Sequence, residues 1–138
     1  MRRNAGRVLL TLADLITIAA PIAADLNGSH LFNERWPRHA RFHGVVALAM
    51  ASALSVFAIW RLWTPSTDRG SGRAIAAAVP LAYWGPFFPA VWFPGAGVDD
   101  APHPVARVAG IPTNLLGAAA TGATAIAGWL LDRSLRPA

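Results

Sequence analysis

The sequence predicts an all-α fold, an integral membrane four-helix bundle, and three observations carry that expectation. Four apolar runs fill residues 8–24, 44–63, 74–93 and 108–131 of the 138-residue chain, each close to the roughly 17–25 residues that a helix needs to cross the hydrocarbon core. The chain is 54% hydrophobic and 14% charged, against roughly 25% charged in an average soluble domain. The runs are continuous rather than alternating, which favours helices over a closed barrel, the other architecture that satisfies its backbone inside lipid. So little chain lies between the runs that one four-span domain over residues 1–138 is expected, with no soluble domain beside it.

The first run follows Arg2, Arg3 and Arg7. That order also fits a secretory signal peptide. Two features argue for a retained span: Ile22 or Pro21 occupies the third position before any cleavage near Asp25, and Asp14 interrupts the apolar core. A carboxylate at that depth is disfavoured by about 2.5–3.5 kcal/mol, so Asp14 is expected to face the bundle interior. Asp14, Ile18, Pro21 and Asp25 share one helical stripe at spacings of four, three and four. Thr113 and Asn114 are the expected hydrogen-bond partners of that stripe.

Pro37 suits the first turn of the second helix, where a missing N–H costs nothing. A helix starting there puts His39 and His43 on one face. The third run is interrupted by Pro80, Pro86 and Pro89, with Gly85 beside Pro86. A kink is expected, serving either packing or a cavity lined by Tyr83, Trp84, Phe87 and Phe88. The fourth run is rich in small residues. Ala118 and Gly122 are four apart, and Ala119, Ala123 and Ala127 repeat the interval, a spacing that lets helices approach closely, within the bundle or between two copies.

With four spans both termini lie on one side. Arg2, Arg3, Arg7, Arg61, Arg69, Arg73, Arg133 and Arg136 fall there, against Arg35, Arg38, Arg41 and Arg107 opposite. The excess predicts cytoplasmic termini and a multi-pass protein of the cell membrane. Trp60, Trp63 and Trp129 at the inner ends, and Trp36 and Trp92 at the outer ends, agree with an aromatic belt.

Composition narrows the chemistry. There is no cysteine, which excludes disulfides, thiolate metal sites and cysteine nucleophiles. There is no lysine, so every fixed positive side-chain charge is an arginine, which excludes lysine Schiff bases. The net charge of +5 does not indicate nucleic acid, because the arginines flank apolar runs instead of forming a basic patch. The expected partners are the bilayer and a lipophilic small molecule. No cofactor is called for.

Between the first two runs, residues 25–43 hold three of the four histidines, three arginines, Asp25, Glu34, Asn27 and Asn33. Three readings compete. The residues form an interfacial collar for loop carbonyls and lipid phosphates; or His39, His43 and His30 act as acids and bases, with Asp25 or Asp14 donating a proton or stabilising positive charge; or His30, His39 and His43 hold a metal. Against the metal, no glutamate lies between His39 and His43, and Arg38 and Arg41 oppose a divalent cation. Asn27, Asn33, Trp36, Tyr83, Trp84 and Asn114 are the candidates for binding substrate. Arg107 is expected to pair with Asp25, Asp99 or Asp100. His103 is expected either to join the hairpin cluster or to be a plain loop residue.

The pattern Asp25-x-Asn27-x-x-His30-x-x-Asn33-x-x-Trp36-x-x-His39-x-x-x-His43 resembles small four-helix membrane proteins of bacteria and fungi that form a domain-of-unknown-function group. The resemblance implies that these seven residues share a site, and it brings no established activity. The residues themselves favour a membrane enzyme using acid/base chemistry on an isoprenoid-, sterol- or quinone-like molecule. The alternatives are a non-enzymatic binder, a proton-coupled carrier or a complex subunit.

Overall fold

The computed structural model describes residues 4–99 and 104–135. Arg2, Arg3, Asp100, His103 and Arg136, used in the orientation and loop arguments, lie outside the described residues. Helix dominates: α1 (Ala5–Asp25), α2 (Arg38–Trp63), α3 (Arg69–Trp84), the single turn α4 (Phe87–Ala90) and α5 (Thr113–Leu135). Two short strands, β1 (Arg107–Val108) and β2 (Ile111–Pro112), pair antiparallel with Val108 opposite Ile111.

Three helices, α1, α2 and α5, are long and apolar enough to cross a membrane. The expected third span over 74–93 is shorter than predicted. Its helix starts at Arg69 and stops at Trp84, 16 residues, about 24 Å at roughly 1.5 Å per residue against a hydrocarbon core of about 30 Å. Pro80 lies within α3 and is fully buried, so one proline is tolerated. Gly85 and Pro86 then break the rod, and the chain continues as α4 and turns. The other expected boundaries also move. α2 begins at Arg38, with the expected Pro37 as its N-cap residue, so the helix extends ahead of the apolar run that starts at 44. The fourth helix begins at Thr113 rather than 108 because residues 107–112 form the hairpin, the one departure from an all-α chain among the described residues. Its turn, Ala109 and Gly110, has φ of 50° and 80°, the two left-handed positions of a type I′ turn.

The four long helices pack with alternating direction. Contacts among Arg7, Trp63, Arg73 and Asp132 gather the starts of α1 and α3 and the ends of α2 and α5 at one end. We call this the terminal end, and the opposite one the hairpin end. The core is made largely of small side chains: Ala58, Ala76 and Ala77 with Leu10 and Leu62. The buried stripe of α2 is Leu48, Ala51, Ser55, Ala58 and Leu62, and that of α5 is Ala118, Thr121, Ala125, Gly128 and Asp132, both at three-and-four spacing. A Cβ on Gly128 would sit 2.9 Å from the Leu10 nitrogen and 3.0 Å from the Gly6 carbonyl oxygen, so α1 and α5 approach to backbone contact there. Gly122 is half-buried near Leu81, whereas Ala119, Ala123 and Ala127 face outward. So do Val8, Leu12, Leu15, Val45, Met50, Val56 and Leu130, an apolar exterior that a bilayer would cover.

Two tryptophans tie neighbouring helices to α1. Trp63 Nε1 donates to Thr11 Oγ1, and Trp84 Nε1 to Thr17 Oγ1, both at 2.9 Å. Asp68 caps α3, its carboxylate accepting from the Gly70 and Ser71 amides at 3.0 Å. These bonds, that from Ser71 foremost, hold its pKa below the ordinary carboxylate value.

Candidate functional site

The hairpin between α1 and α2 is organised by two asparagines. Asn27 follows the end of α1, where the last carbonyls lack helical donors. Its Nδ2 donates to the Ala24 carbonyl at 2.7 Å and, more weakly, to that of Ala23 at 3.3 Å. Its Oδ1 accepts from the Ser29 amide at 2.9 Å and the Ser29 hydroxyl at 2.6 Å. Asn33 does similar work one turn later: Nδ2 donates to the Ser29 carbonyl, Oδ1 accepts from the Arg35 amide, and the Asn33 carbonyl accepts from Arg41 Nη2 at 2.7 Å. Leu31 is buried and seats the loop on α2: a Cβ at Gly44 would lie 2.5 Å from its Cδ2. Both asparagines, expected to bind substrate, have these bonds within the hairpin, and neither lines the cavity described next.

That cavity, about 370 Å³, opens between the hairpin, α1, α3 and the start of α5. Asp25 and Pro21 of α1, His30 of the hairpin, Tyr83 and Trp84 of α3, and Asn114 of α5 line it. Five residues picked from sequence as site candidates, Asp25, His30, Tyr83, Trp84 and Asn114, therefore converge although four separate segments supply them. A neighbouring lobe of about 420 Å³ shares His30, Tyr83 and Asn114. Val98 and Val105 close one side; Asp99 pins their loop by accepting from the Val105 amide and from Arg107 Nη2. Of the three expected partners of Arg107, the structure pairs it with Asp99.

The break after α3 shapes the floor. Phe87, on the turn after Pro86, brings its ring to 5.0 Å from that of Trp84 and 6.0 Å from that of Tyr83. Trp84 is held by Thr17. The Asp25 carboxylate, the Tyr83 hydroxyl and His30 Nε2 make no hydrogen bond among the described residues, whereas His30 Nδ1 contacts Ser29 Oγ at 2.8 Å. Asp25 lies within electrostatic range of both His30 and Tyr83.

The other candidates sit elsewhere. His39 and His43 form their own pair on the exposed start of α2, Nε2 to Nε2 at 3.0 Å, so one ring donates to the other. His30 is not with them. No group of three or more histidine, aspartate or glutamate side chains is placed to hold a metal among the described residues; in the alternative metal reading with His30, His39 and His43 as ligands, His30 instead lines the cavity with α1 and α3. Trp36 packs edge-on against the His30 ring at 5.6 Å and does not line the cavity. Asp14 is fully buried deeper in the bundle, about 16 Å below Asp25 along the helix. Ser55 of α2 is the polar side chain that approaches it, yet neither Asp14 oxygen nor the Ser55 hydroxyl reaches hydrogen-bonding geometry among the described residues. Asn114 and Thr113, expected as partners along the stripe, lie at its Asp25 end.

Beside the cavity runs a groove of about 690 Å³ between α2 and α3. Its wall is almost wholly apolar, including Met50, Leu54 and Val79, with His43 of α2 and Tyr83 of α3 toward the hairpin end. Tyr83 thus borders groove and cavity alike. Of the polar residues around the site, Ser29, which joins Asn27 to His30, escaped the sequence reading. The available signal was Asn-x-Ser, where an asparagine side chain bonds the backbone two residues on.

Comparison with curated proteins and with solved structures gives no match. The family of unknown function DUF6640 matches residues 9–117, from the first turns of α1 through the hairpin and cavity to the first turns of α5. The chain belongs to that family.

Proposed function

We propose that the chain is a multi-pass membrane protein with cytoplasmic termini, and that its hairpin-end cavity acts on the polar end of a lipophilic small molecule by acid/base chemistry. The body of the molecule lies in the α2–α3 groove and its reacting end beside His30 and Asp25. One observation carries this reading: Tyr83 is a common wall of an apolar groove and of a cavity in which the Asp25 carboxylate, the Tyr83 hydroxyl and His30 Nε2 make no hydrogen bond among the described residues. A lipophile with a polar end needs that combination. His30 exchanges the proton, Asp25 stabilises the positive charge that appears, and the His39–His43 pair stands at the groove rim. The arginine excess at the terminal end supports the orientation. The outward stripe of Ala119, Ala123 and Ala127 suits contact with a second copy.

The test is hydrogen exchange into the substrate. Isoprenoid-, sterol- and quinone-like compounds are incubated in heavy water with the purified protein, and deuterium gain is read by mass. Exchange is expected with the wild type and with Asn33→Ala, and is lost in His30→Gln and Asp25→Asn. Exchange that survives both losses, or that never appears across the three classes, overturns the reading.

A second reading, a proton-coupled carrier, is favoured by the fully buried Asp14 outside the cavity. Proton-coupled flux that survives His30→Gln and fails with Asp14→Asn would select it.

A further inference from the structure

The hydrogen bonds of the hairpin decide which atoms the cavity offers a ligand. The Asn27 amide is oriented from both ends, because Nδ2 faces the Ala24 carbonyl and Oδ1 faces the Ser29 amide. An amide oxygen carries no proton, so in the 2.6 Å contact between Ser29 Oγ and Asn27 Oδ1 the serine donates. A hydroxyl has one proton. The 2.8 Å contact between Ser29 Oγ and His30 Nδ1 is therefore donated by the ring. Neutral His30 carries its proton on Nδ1, and Nε2 keeps a bare lone pair.

The rest of the lining has the same character. Ionised Asp25 only accepts, and no ion pair engages it among the described residues. The rings of Tyr83, Trp84 and Phe87 cluster in the same wall, and aromatic faces attract cations. No arginine among the described residues lines the cavity. The Tyr83 and Thr113 hydroxyls serve either way, and the Asn114 Oδ1 accepts from the Leu115 amide, which leaves Asn114 Nδ2 as a donor.

We propose that the cavity selects a protonated amine carried on a lipophilic body, with the ammonium donating to Asp25 and to His30 Nε2 and lying against the Tyr83–Trp84–Phe87 rings. Ser29 and Asn27 are positioning residues that keep Nε2 an acceptor. This rests on the reading of groove and cavity as a site for a lipophile with a polar end, and names the class of that end.

The experiment measures binding of tetradecylamine, tetradecanol and tetradecanoate to the full chain in a neutral maltoside detergent at neutral pH. The amine is expected to bind tighter than the alcohol by about tenfold or more, the scale of a charge-assisted hydrogen bond, and Asp25→Asn is expected to erase that preference. Alcohol or carboxylate binding as tight as amine binding, or a preference that survives Asp25→Asn, overturns the proposal. Nitrogen NMR of His30 gives a separate readout: a protonated Nδ1 and bare Nε2 in the wild type, with the bias lost in Ser29→Ala and kept in Ser29→Thr. A neutral wild-type ring protonated at Nε2 overturns the relay. Neither measurement needs turnover. An enzyme for a neutral lipophile would survive failure here, and a failed deuterium assay would leave amine binding standing.

Discussion

The two ends of the bundle treat helix-end carboxylates in opposite ways, Asp132 being buried and Asp25 half-buried. At the terminal end Asp132 of α5 is almost fully buried between Arg7 of α1, at 3.9 Å, and Arg73 of α3, at 4.0 Å. Arg7 in turn stacks over Trp63 of α2. One acidic group thereby gathers all four long helices. At the hairpin end Asp25 has no such arginine partner among the described residues, and its neighbours are a histidine, a tyrosine and a cavity. A carboxylate whose charge is met inside the protein fixes the helices. One whose charge is unmet is available to a ligand. Both are single aspartates near helix ends, and only their surroundings separate them.

The comparison breaks most readily at Asp132. Asp132→Ala leaves two arginines without their shared anion and is expected to destabilise the bundle by about 3–5 kcal/mol, read as a lowered thermal midpoint in detergent. Asp25→Asn, by contrast, should change stability by less than about 0.5 kcal/mol. Equal losses at the two positions would erase the distinction. A smaller effect is expected from Thr17→Val, which leaves the buried Trp84 indole N–H without its acceptor and costs about 1–3 kcal/mol. That change loosens the cavity floor from α1, so ligand binding should weaken with stability, whereas Asp25→Asn should weaken binding alone. The smallest effect belongs to Asp68, which is solvent-exposed. Its folded pKa is lowered by the α3 amides. Its contribution is therefore full above the ordinary carboxylate pKa and is lost as pH falls through the lowered folded value. Acid should lower the protection of the Gly70 and Ser71 amides against hydrogen exchange, measured relative to the intrinsic rate at each pH, and leave the protection of the hairpin amides unchanged.

Much of this was legible in the chain. The apolar runs gave the long helices, Pro37 gave the start of α2, and the crowding of polar residues at 25–43 pointed to the hairpin. Asp14 was expected inside and is fully buried. The third span was overcounted because apolar length was weighed above Gly85 and Pro86, whose backbone chemistry ends α3 whatever the hydropathy. Within the hairpin, residue type did not distinguish scaffold from site. Asn27 and Asn33 look as suited to binding as Asn114 does, yet they satisfy orphaned loop and helix-end groups. Arg73 and Asp132 lie 59 positions apart in sequence, and nothing local to either announces the other.

Local composition and backbone chemistry, acting over a few residues, determined where helices form, where they stop and which stretch is polar. The tertiary structure decided which polar groups meet. It separated His30 from the His39–His43 pair, matched Asp132 to two arginines and left Asp25 facing a cavity. Hydrogen bonds and charge pairs depend on distances of a few ångströms between segments remote in sequence, and those distances exist only after the helices have packed.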